Sequence, residues 1–249
     1  AGSAVIVGGA RYGGAADGTT DKAAPYDADA LADRVDAALA AGGSLRFAYK
    51  AMGADDWADL PGSLAEAREV AGAFPGALLL TGPEATETRL KDLNRTGELA
   101  QSRVMHLAVH GLAVPDIPEL SALVLGREPP GSTQDGYLAM REIAALRLGG
   151  GLVTLSACQT GLGRVFRGEG VVGLAQAFLH ASAGGLAVTL WSVSDASAPA
   201  FMSRVYGALG RGASFADAFA EARRAFIRGE AGERFARPGH WAPFVVHGL

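Results

Sequence analysis

In the stretch Gly151-Leu152-Val153-Thr154-Leu155-Ser156-Ala157-Cys158-Gln159-Thr160-Gly161, a short apolar run leads to the only cysteine of the 249-residue chain. The run from Leu152 to Leu155 follows a glycine, and its residues are apolar or β-branched at the positions that would face either side of a sheet. That pattern is typical of a strand buried on both faces of a parallel sheet. We predict that Cys158 lies just beyond the end of this strand, at the edge where ligands of open α/β sheets bind.

A second strand of the same kind ends in a histidine. The run Arg103-Val104-Met105-His106-Leu107-Ala108-Val109 is followed by His110 and Gly111. Thiol catalysis needs a nearby imidazole to move protons, and the two groups are neighbours in space rather than in sequence. Two adjacent parallel strands would bring His110 and Cys158 to the same edge of the sheet.

Plainer explanations compete with a catalytic role for these residue types. A lone free cysteine is often simply a small buried apolar residue. His106 has the same strand parity as His110 but lies four residues deeper. We therefore interpret His106 as a hydrogen-bonded core histidine, because a catalytic group must first be within reach of the substrate.

The chain resembles the CHAT peptidases, relatives of the caspases and separases. The resemblance covers about residues 57–249, whereas residues 1–56 match only loosely. The matching segments, in order, are Leu60–Ala67, His106–Gly111, Gly136–Leu138, Arg141–Ile143, Leu155–Gly163, Gly168–Leu174, Leu190–Asp195 and Trp241–Phe244.

The alternation of predicted strands and helices favours an α/β fold with a mostly parallel central sheet flanked by helices on both faces. The resemblance implies that this fold is caspase-like. We expect residues 1–249 to form one CHAT domain, part of a larger protein. Local patterns predict a first strand broken at Gly8-Gly9, a short strand at Leu45–Ala48 and a helix that starts with a capping box, Ser63–Glu66.

The proposed chemistry is that of a cysteine endopeptidase. Cys158 is the predicted nucleophile and His110 the group that takes and returns its proton. By resemblance to caspase-like sites, the backbone N–H groups of Gly111 and Cys158 stabilise the oxyanion. The sequence offers no acidic or amide residue as a third member, and caspase relatives commonly work with a His–Cys dyad.

The family resemblance places the substrate against Trp191, Ser192, Ser194 and Asp195, where the substrate would add a strand. A carboxylate at Asp195 would favour Lys or Arg before the scissile bond. Asp195 is equally well explained as the N-cap of the next helix. Arg11 could instead select an acidic side chain, although a solvated loop arginine is the simpler interpretation.

Composition narrows the remaining possibilities. A net charge of −4 gives no field that favours nucleic acid. One cysteine and five scattered histidines predict neither a metal site nor a disulfide, so we expect a reducing, cytoplasmic location and no cofactor. No apolar run is long enough to span a membrane, and we see no leader peptide. Only Lys22, Lys50 and Lys91 accompany the arginines, a bias typical of GC-rich bacterial genomes.

The leading functional hypothesis is a peptidase that cleaves a specific protein partner and is regulated by an additional module, which in this family is often made of helical repeats. Two alternatives stay open. One is a catalytically silent CHAT module for signalling or scaffolding, since fold does not fix function. The other is a cysteine hydrolase that acts on a non-peptide amide or ester.

Overall fold

A six-stranded sheet forms the centre of the fold. The computed structural model describes residues 3–14, 26–156, 169–189 and 197–248. The strands of the described residues are β1 (Ser3–Ala10), β2 (Leu78–Gly82), β3 (Ser102–Ala108), β4 (His110–Leu112), β5 (Ala122–Val124), β6 (Tyr137–Ala139), β7 (Leu152–Leu155), β8 (Gly185–Thr189) and β9 (Phe244–His247). Six of them pair in the order β2-β1-β3-β7-β8-β9, and only β9 runs antiparallel to its neighbour. The predicted mostly parallel sheet is confirmed.

Helices cover both faces of this sheet. Their bounds are α1 (Ala28–Ala40), α2 (Arg46–Ala51), α3 (Pro61–Gly72), α4 (Glu87–Thr96), α5 (Glu98–Gln101), α6 (Met140–Ala144), α7 (Glu169–His180), α8 (Ser197–Gly210) and α9 (Phe215–Ile227). Three of them begin at a side-chain cap: Asp27, Thr86 and Ser214 each accept a hydrogen bond from a backbone N–H of the first turn. These caps explain why α1, α4 and α9 start where they do.

The two faces of the sheet bury separate cores because successive side chains of a strand point in opposite directions. In β1, Val5 and Val7 pack with residues of α4, α5, α6 and α7. The alternate residues Ala4 and Ile6 pack with residues of α3, α8 and α9. Burial of a side chain such as Ile6 stabilises the fold by about 1.5–3 kcal/mol relative to exposure. The central strands therefore need apolar residues at both parities.

β1 does not stop at its glycine pair, so the predicted break at Gly8-Gly9 is wrong. A Cβ atom on Gly8 would lie 2.6 Å from the carbonyl oxygen of Ser63 and 2.7 Å from the Cβ of Ala67. The missing side chain thus allows α3 to pack directly against the strand, a use of glycine that sequence alone does not distinguish from a turn.

Two further local predictions are wrong. The residues from Leu45 to Ala48 open α2 rather than a strand. α3 begins at Pro61, so Ser63 and Glu66 do not form a capping box. The hydroxyl of Ser63 instead accepts the Gly9 N–H at 2.9 Å.

A small antiparallel sheet, β4-β5-β6, lies beside the main one. It packs with α1 and α2 around a third core that contains Tyr49 and Trp57. The sequence patterns do not predict β4 or β6, because strands of three residues are too short to show alternation. The predicted catalytic residue His110 is the first residue of this sheet.

Candidate active site

The pairing of β3 with β7 sets the geometry of the predicted catalytic edge. Leu107 pairs with Leu155, and the Ser156 N–H donates to the Leu107 carbonyl at 2.9 Å. His110 follows Leu107 by three residues, and Cys158 follows Leu155 by the same number. The register therefore places Leu107 and Leu155 level with each other near the carboxyl edge of the sheet.

His110 lies just past the main sheet rather than at the end of a long strand. β3 ends at Ala108, and His110 opens β4, where it pairs with Val124. Its side chain is only 3% exposed. Gly111, the predicted oxyanion donor, is buried in the same strand opposite Leu123.

Two aromatic rings enclose the imidazole of His110. The Tyr12 ring meets it edge-on, with centroids 4.7 Å apart and an interplanar angle of 64°. Trp57 lies on another side at 4.9 Å and 41°. The Tyr12 hydroxyl also donates to the Val124 carbonyl at 3.1 Å and accepts the backbone N–H of His110 at 3.4 Å. These contacts fix both the backbone and the ring of His110.

A backbone carbonyl sets the proton on the ring of His110. Nε2 of His110 lies 2.7 Å from the carbonyl oxygen of Ala58. A carbonyl oxygen can only accept, so Nε2 carries the hydrogen and, in the neutral ring, Nδ1 carries the lone pair. Burial lowers the pKa of His110, although the Ala58 carbonyl and the charge of Asp59 act to raise it. The neutral, basic form of the ring is favoured at neutral pH.

Sequence reasoning missed Tyr12, Trp57 and Ala58 as neighbours of His110. Ala58 acts through its backbone, which leaves no signal in the residue type. Tyr12 comes from the loosely matching first part of the chain, so the resemblance did not point to it. Trp57 gives no sequence signal beyond that of a core tryptophan, and the structure leaves only 5% of it exposed.

Several predicted site residues lie outside the described part of the chain: Cys158, Trp191, Ser192, Ser194 and Asp195. The described elements that flank them are β7, β8 and α8. Because β7 and β8 are adjacent and parallel, the chain leaves both at the edge where His110 lies. Arg11 directly follows β1 and is exposed, in keeping with its simpler interpretation.

His106 belongs to a buried polar chain, which agrees with its interpretation as a core residue. It is 0% exposed; its Nε2 lies 3.0 Å from the Glu66 carboxylate and its Nδ1 lies 2.6 Å from the Tyr206 hydroxyl. That hydroxyl donates to Thr154 Oγ1 at 3.1 Å. This chain of polar groups joins α3, β3, α8 and β7, and both ring nitrogens of His106 have partners.

Two further searches of the described ranges bear on function. None of their helices is long and apolar enough to cross a membrane. In the same ranges, no group of three or more His, Cys, Asp or Glu residues is arranged to hold a metal ion.

The architecture is that of the caspase-like α/β class: a mostly parallel six-stranded sheet with helices on both faces and a histidine at its carboxyl edge. The CHAT domain family matches residues 18–249, so the chain belongs to the CHAT family.

Two mammalian proteins show partial similarity. Tetratricopeptide repeat protein 28 of Mus musculus is 33% identical over 111 residues, which are 45% of this chain and 4% of that protein. Tetratricopeptide repeat protein 28 of Homo sapiens is 29% identical over 146 residues, 59% of this chain and 5% of that protein. The chain thus spans a small fraction of the length of these relatives.

Proposed function

We propose that the protein is a cysteine endopeptidase that uses a dyad of His110 and Cys158 to cleave peptide bonds in a specific protein partner. The observation that supports the proposal is the pairing of Leu107 with Leu155 in adjacent parallel strands, because His110 and Cys158 each follow the paired residue by three positions in the sequence. The Ala58 carbonyl supports it further, because it leaves the lone pair of neutral His110 on Nδ1.

In this proposal Nδ1 of His110 takes the proton of the Cys158 thiol, and the thiolate attacks the carbonyl carbon of the scissile bond. The carbonyl π electrons move to the oxygen, and the N–H groups of Gly111 and Cys158 stabilise the resulting oxyanion. The imidazolium then gives its proton to the leaving amine as the C–N bond breaks. Water, deprotonated by His110, hydrolyses the thioester and restores the thiol. The Ala58 carbonyl retains the Nε2 proton throughout.

For the substrate, we propose that an extended peptide pairs with the segment that contains Trp191, Ser192, Ser194 and Asp195. The Asp195 carboxylate would then select Lys or Arg before the scissile bond. The competing role of Asp195 is that of a helix cap ahead of α8, whose described residues begin at Ser197.

We also propose that residues 1–249 act as one CHAT domain within a larger protein. The loosely matching first part of the chain supplies β1, which lies between β2 and β3 in the main sheet. A regulatory module of helical repeats is the expected partner, and the printed name of the two relatives, tetratricopeptide repeat protein, supports it. A cytoplasmic location fits a free catalytic thiol.

A panel of fluorogenic peptides, combined with a covalent thiol probe, tests the peptidase. Both Cys158→Ala and His110→Ala should abolish cleavage, because residues that act as a unit fail together. His180→Ala is the control, since His180 is an exposed histidine on α7. Because the chain has one cysteine, alkylation reports on Cys158 alone. His110→Ala should raise the apparent pKa of the Cys158 thiol toward about 8.5.

The same experiment separates the two alternatives. Probe labelling with cleavage of esters but no peptides would indicate a non-peptide hydrolase. A Cys158 that alkylates at the rate of a free thiol, with no turnover of any substrate, would indicate a signalling or scaffold module. Peptide cleavage that survives Cys158→Ala would place the nucleophile elsewhere.

A further inference from the structure

The exposed side of α9 carries an apolar side chain between two arginines. Ile227 and Leu179 are the exposed large apolar side chains of the described residues, and Ile227 is the more exposed of the two, at 54%. Arg224 and Arg228, on either side of it in the sequence, are also exposed. Because a helix turns about 100° per residue, these three side chains leave α9 within about 100° of one another. Together the three residues form one surface, the α9 patch.

The carboxylates of the same helix do not neutralise the α9 patch. Glu221 pairs with an arginine ahead of the helix at 2.5 Å, and Asp217 accepts the hydroxyl of the N-cap residue at 2.7 Å. Within the described residues Arg224 makes no ion pair, and Arg228 has only a long one, at 3.7 Å from Glu230. The patch therefore presents two arginines with little compensation from their own chain.

The composition of the α9 patch defines the partner that fits it. A single exposed isoleucine is ordinary and needs no partner. The two arginines make the patch selective, because a partner must supply carboxylates beside a small apolar surface that receives Ile227.

The exposed side of α1 has this composition. Asp29, Asp33 and Asp36 are exposed at positions i, i+4 and i+7, which places them on one side of the helix. Ala30 and Ala37 are exposed beside them. None of the three aspartates makes an ion pair with another described residue. These five residues form the α1 face.

The stability of α1 by itself does not account for its aspartates. Only Asp29 lies in the first turn, where the helix dipole stabilises a carboxylate. Asp33 and Asp36 lie beyond it, and the last turn holds no basic residue. The guanidinium of Arg34, on the same helix, lies over the ring of Phe47 at 4.8 Å from its centroid. The negative charge of the α1 face is thus uncompensated within the described chain.

One copy of the chain does not bring the two surfaces together. α1 packs through Leu31 and Val35 into the core beside the small antiparallel sheet. α9 packs through Phe219 and Phe226 into the core that it shares with α3 and α8. Because each helix buries its other side in a different core, both exposed sides face solvent. Contact between them requires a second copy.

We propose that the α9 patch binds the α1 face of a second copy of this chain. Arg224 and Arg228 pair with the aspartates, and Ile227 lies against Ala30 and Ala37. The contact is heterologous, since a copy that contributes its α9 patch keeps a free α1 face. Two short helix faces bury less than about 1,200 Å², so the association is weak and sensitive to salt. It is independent of the proposed peptidase activity.

Sedimentation equilibrium of the full chain tests the proposal at about 20 mM and about 500 mM salt. At low salt the average mass should rise with protein concentration. At high salt the association should weaken at least about tenfold, because the paired charges are screened. Ile227→Ser should weaken the low-salt association about three- to tenfold, since it removes the apolar part of the contact.

Two charge-reversed variants identify the surfaces that meet. One carries Asp33→Lys with Asp36→Lys, and the other carries Arg224→Glu with Arg228→Glu. Each variant alone should associate at least about tenfold more weakly than the wild type, because like charges then face each other. An equimolar mixture should recover most of the association, since the reversed α1 face of one variant matches the reversed α9 patch of the other.

The controls change the net charge by the same amounts at exposed positions outside both helices. They are Glu69→Lys with Glu84→Lys, and Arg68→Glu with Arg95→Glu. Both should associate as the wild type does. Absence of association at low salt, equal weakening in the controls, or a mixture that associates no better than its two components would overturn the proposal.

Discussion

Nε2 of His110 lies 2.7 Å from the carbonyl oxygen of Ala58, so a backbone carbonyl orients this imidazole, whereas the Ser-His-Asp hydrolases use a carboxylate for that purpose. A neutral carbonyl orients the ring without adding a negative charge, and the pKa of His110 stays below its ordinary value because burial is the largest influence. The residue type at position 58 is therefore unimportant for this role, whereas the path of the backbone is essential.

If His110 is the base of the proposed dyad, its lowered pKa predicts that cleavage activity extends to acidic pH. The ring must be neutral to accept the thiol proton, and a lowered pKa keeps it neutral at lower pH. The acidic limb of the pH profile for kcat/KM should therefore lie below about 6.5, the ordinary histidine value. Asp59 raises this pKa through its charge, so Asp59→Asn should move the limb further toward acid.

Asn at position 59 can still accept the Tyr12 N–H that Asp59 accepts at 2.9 Å, so the local contact survives the substitution. Asp33→Asn serves as the control, since Asp33 is exposed on α1. An acidic limb at or above the ordinary histidine value, or one that moves equally in both variants, would contradict this account of His110.

Asp195 predicts a preference for basic side chains before the scissile bond. Peptides with Arg, Leu and Asp at that position should rank with the Arg peptide first. Asp195→Ala should lower kcat/KM for the Arg peptide by a factor that corresponds to about 2–5 kcal/mol of lost transition-state stabilisation, the scale for breaking a buried charged pair. The loss for the Leu peptide should be much smaller.

The competing role of Asp195 gives a different pattern. If it caps α8, Asp195→Ala should cost about 1 kcal/mol of stability and leave the ranking of peptides unchanged. Equal losses of activity on all three peptides, together with a lower melting temperature, would therefore contradict the hypothesis that Asp195 selects the side chain before the scissile bond. Preference for the Asp peptide would instead indicate that Arg11 selects an acidic side chain before the scissile bond.

The strands of the main sheet were predictable because burial on both faces demands a continuous apolar run, as in Leu152–Leu155. The adjacency of β3 and β7 does not follow from these runs; it was expected because thiol catalysis needs an imidazole close to the cysteine. Helix starts at Asp27, Thr86 and Ser214 also follow from local chemistry, because a cap acts within one turn. These features depend on residues close together in the chain.

The surroundings of His110 were not predictable because they depend on contacts between distant parts of the chain. Tyr12 and Ala58 lie 98 and 52 residues from His110 in sequence. The capping box at Ser63 and Glu66 failed for a related reason. Glu66 binds His106, 40 residues away, and tertiary contacts outweigh the local pattern.

Loss of the hydroxyl should destabilise the protein at one buried tyrosine, Tyr206, and have little effect at another, Tyr49. Tyr206 and Tyr49 are 1% and 0% exposed, but only Tyr206 has hydrogen-bond partners in the described structure. Tyr206→Phe strands His106 Nδ1 and Thr154 Oγ1 and should lower the free energy of unfolding by about 1–3 kcal/mol. Tyr49→Phe breaks no such bond and should change it by less than about 0.5 kcal/mol. Urea unfolding measures both, and equal losses would contradict the assignment of an unpaired Tyr49.

Glu87 predicts how stability depends on pH. Its pKa is raised from the ordinary 4.5 to about 7, chiefly by burial, so between those values the folded chain binds more protons at Glu87 than the unfolded chain does. Its contribution to stability is therefore fully present below pH 4.5 and lost as the pH rises through 7. The carboxylates of Glu142 and Glu87 hold the pKa of Lys91 above its ordinary value against the lowering effect of burial, so Lys91 stays charged across this range. Relative to Glu87→Gln, the wild-type chain should lose on the order of 2 kcal/mol of its free energy of unfolding over this interval, measured by urea unfolding at several pH values.

The control is Glu84→Gln, at an exposed position, whose stability should depend on pH as that of the wild type does. Parallel curves for wild type and Glu87→Gln would mean that Glu87 is ionised at its ordinary pKa and that Lys91 compensates its charge fully.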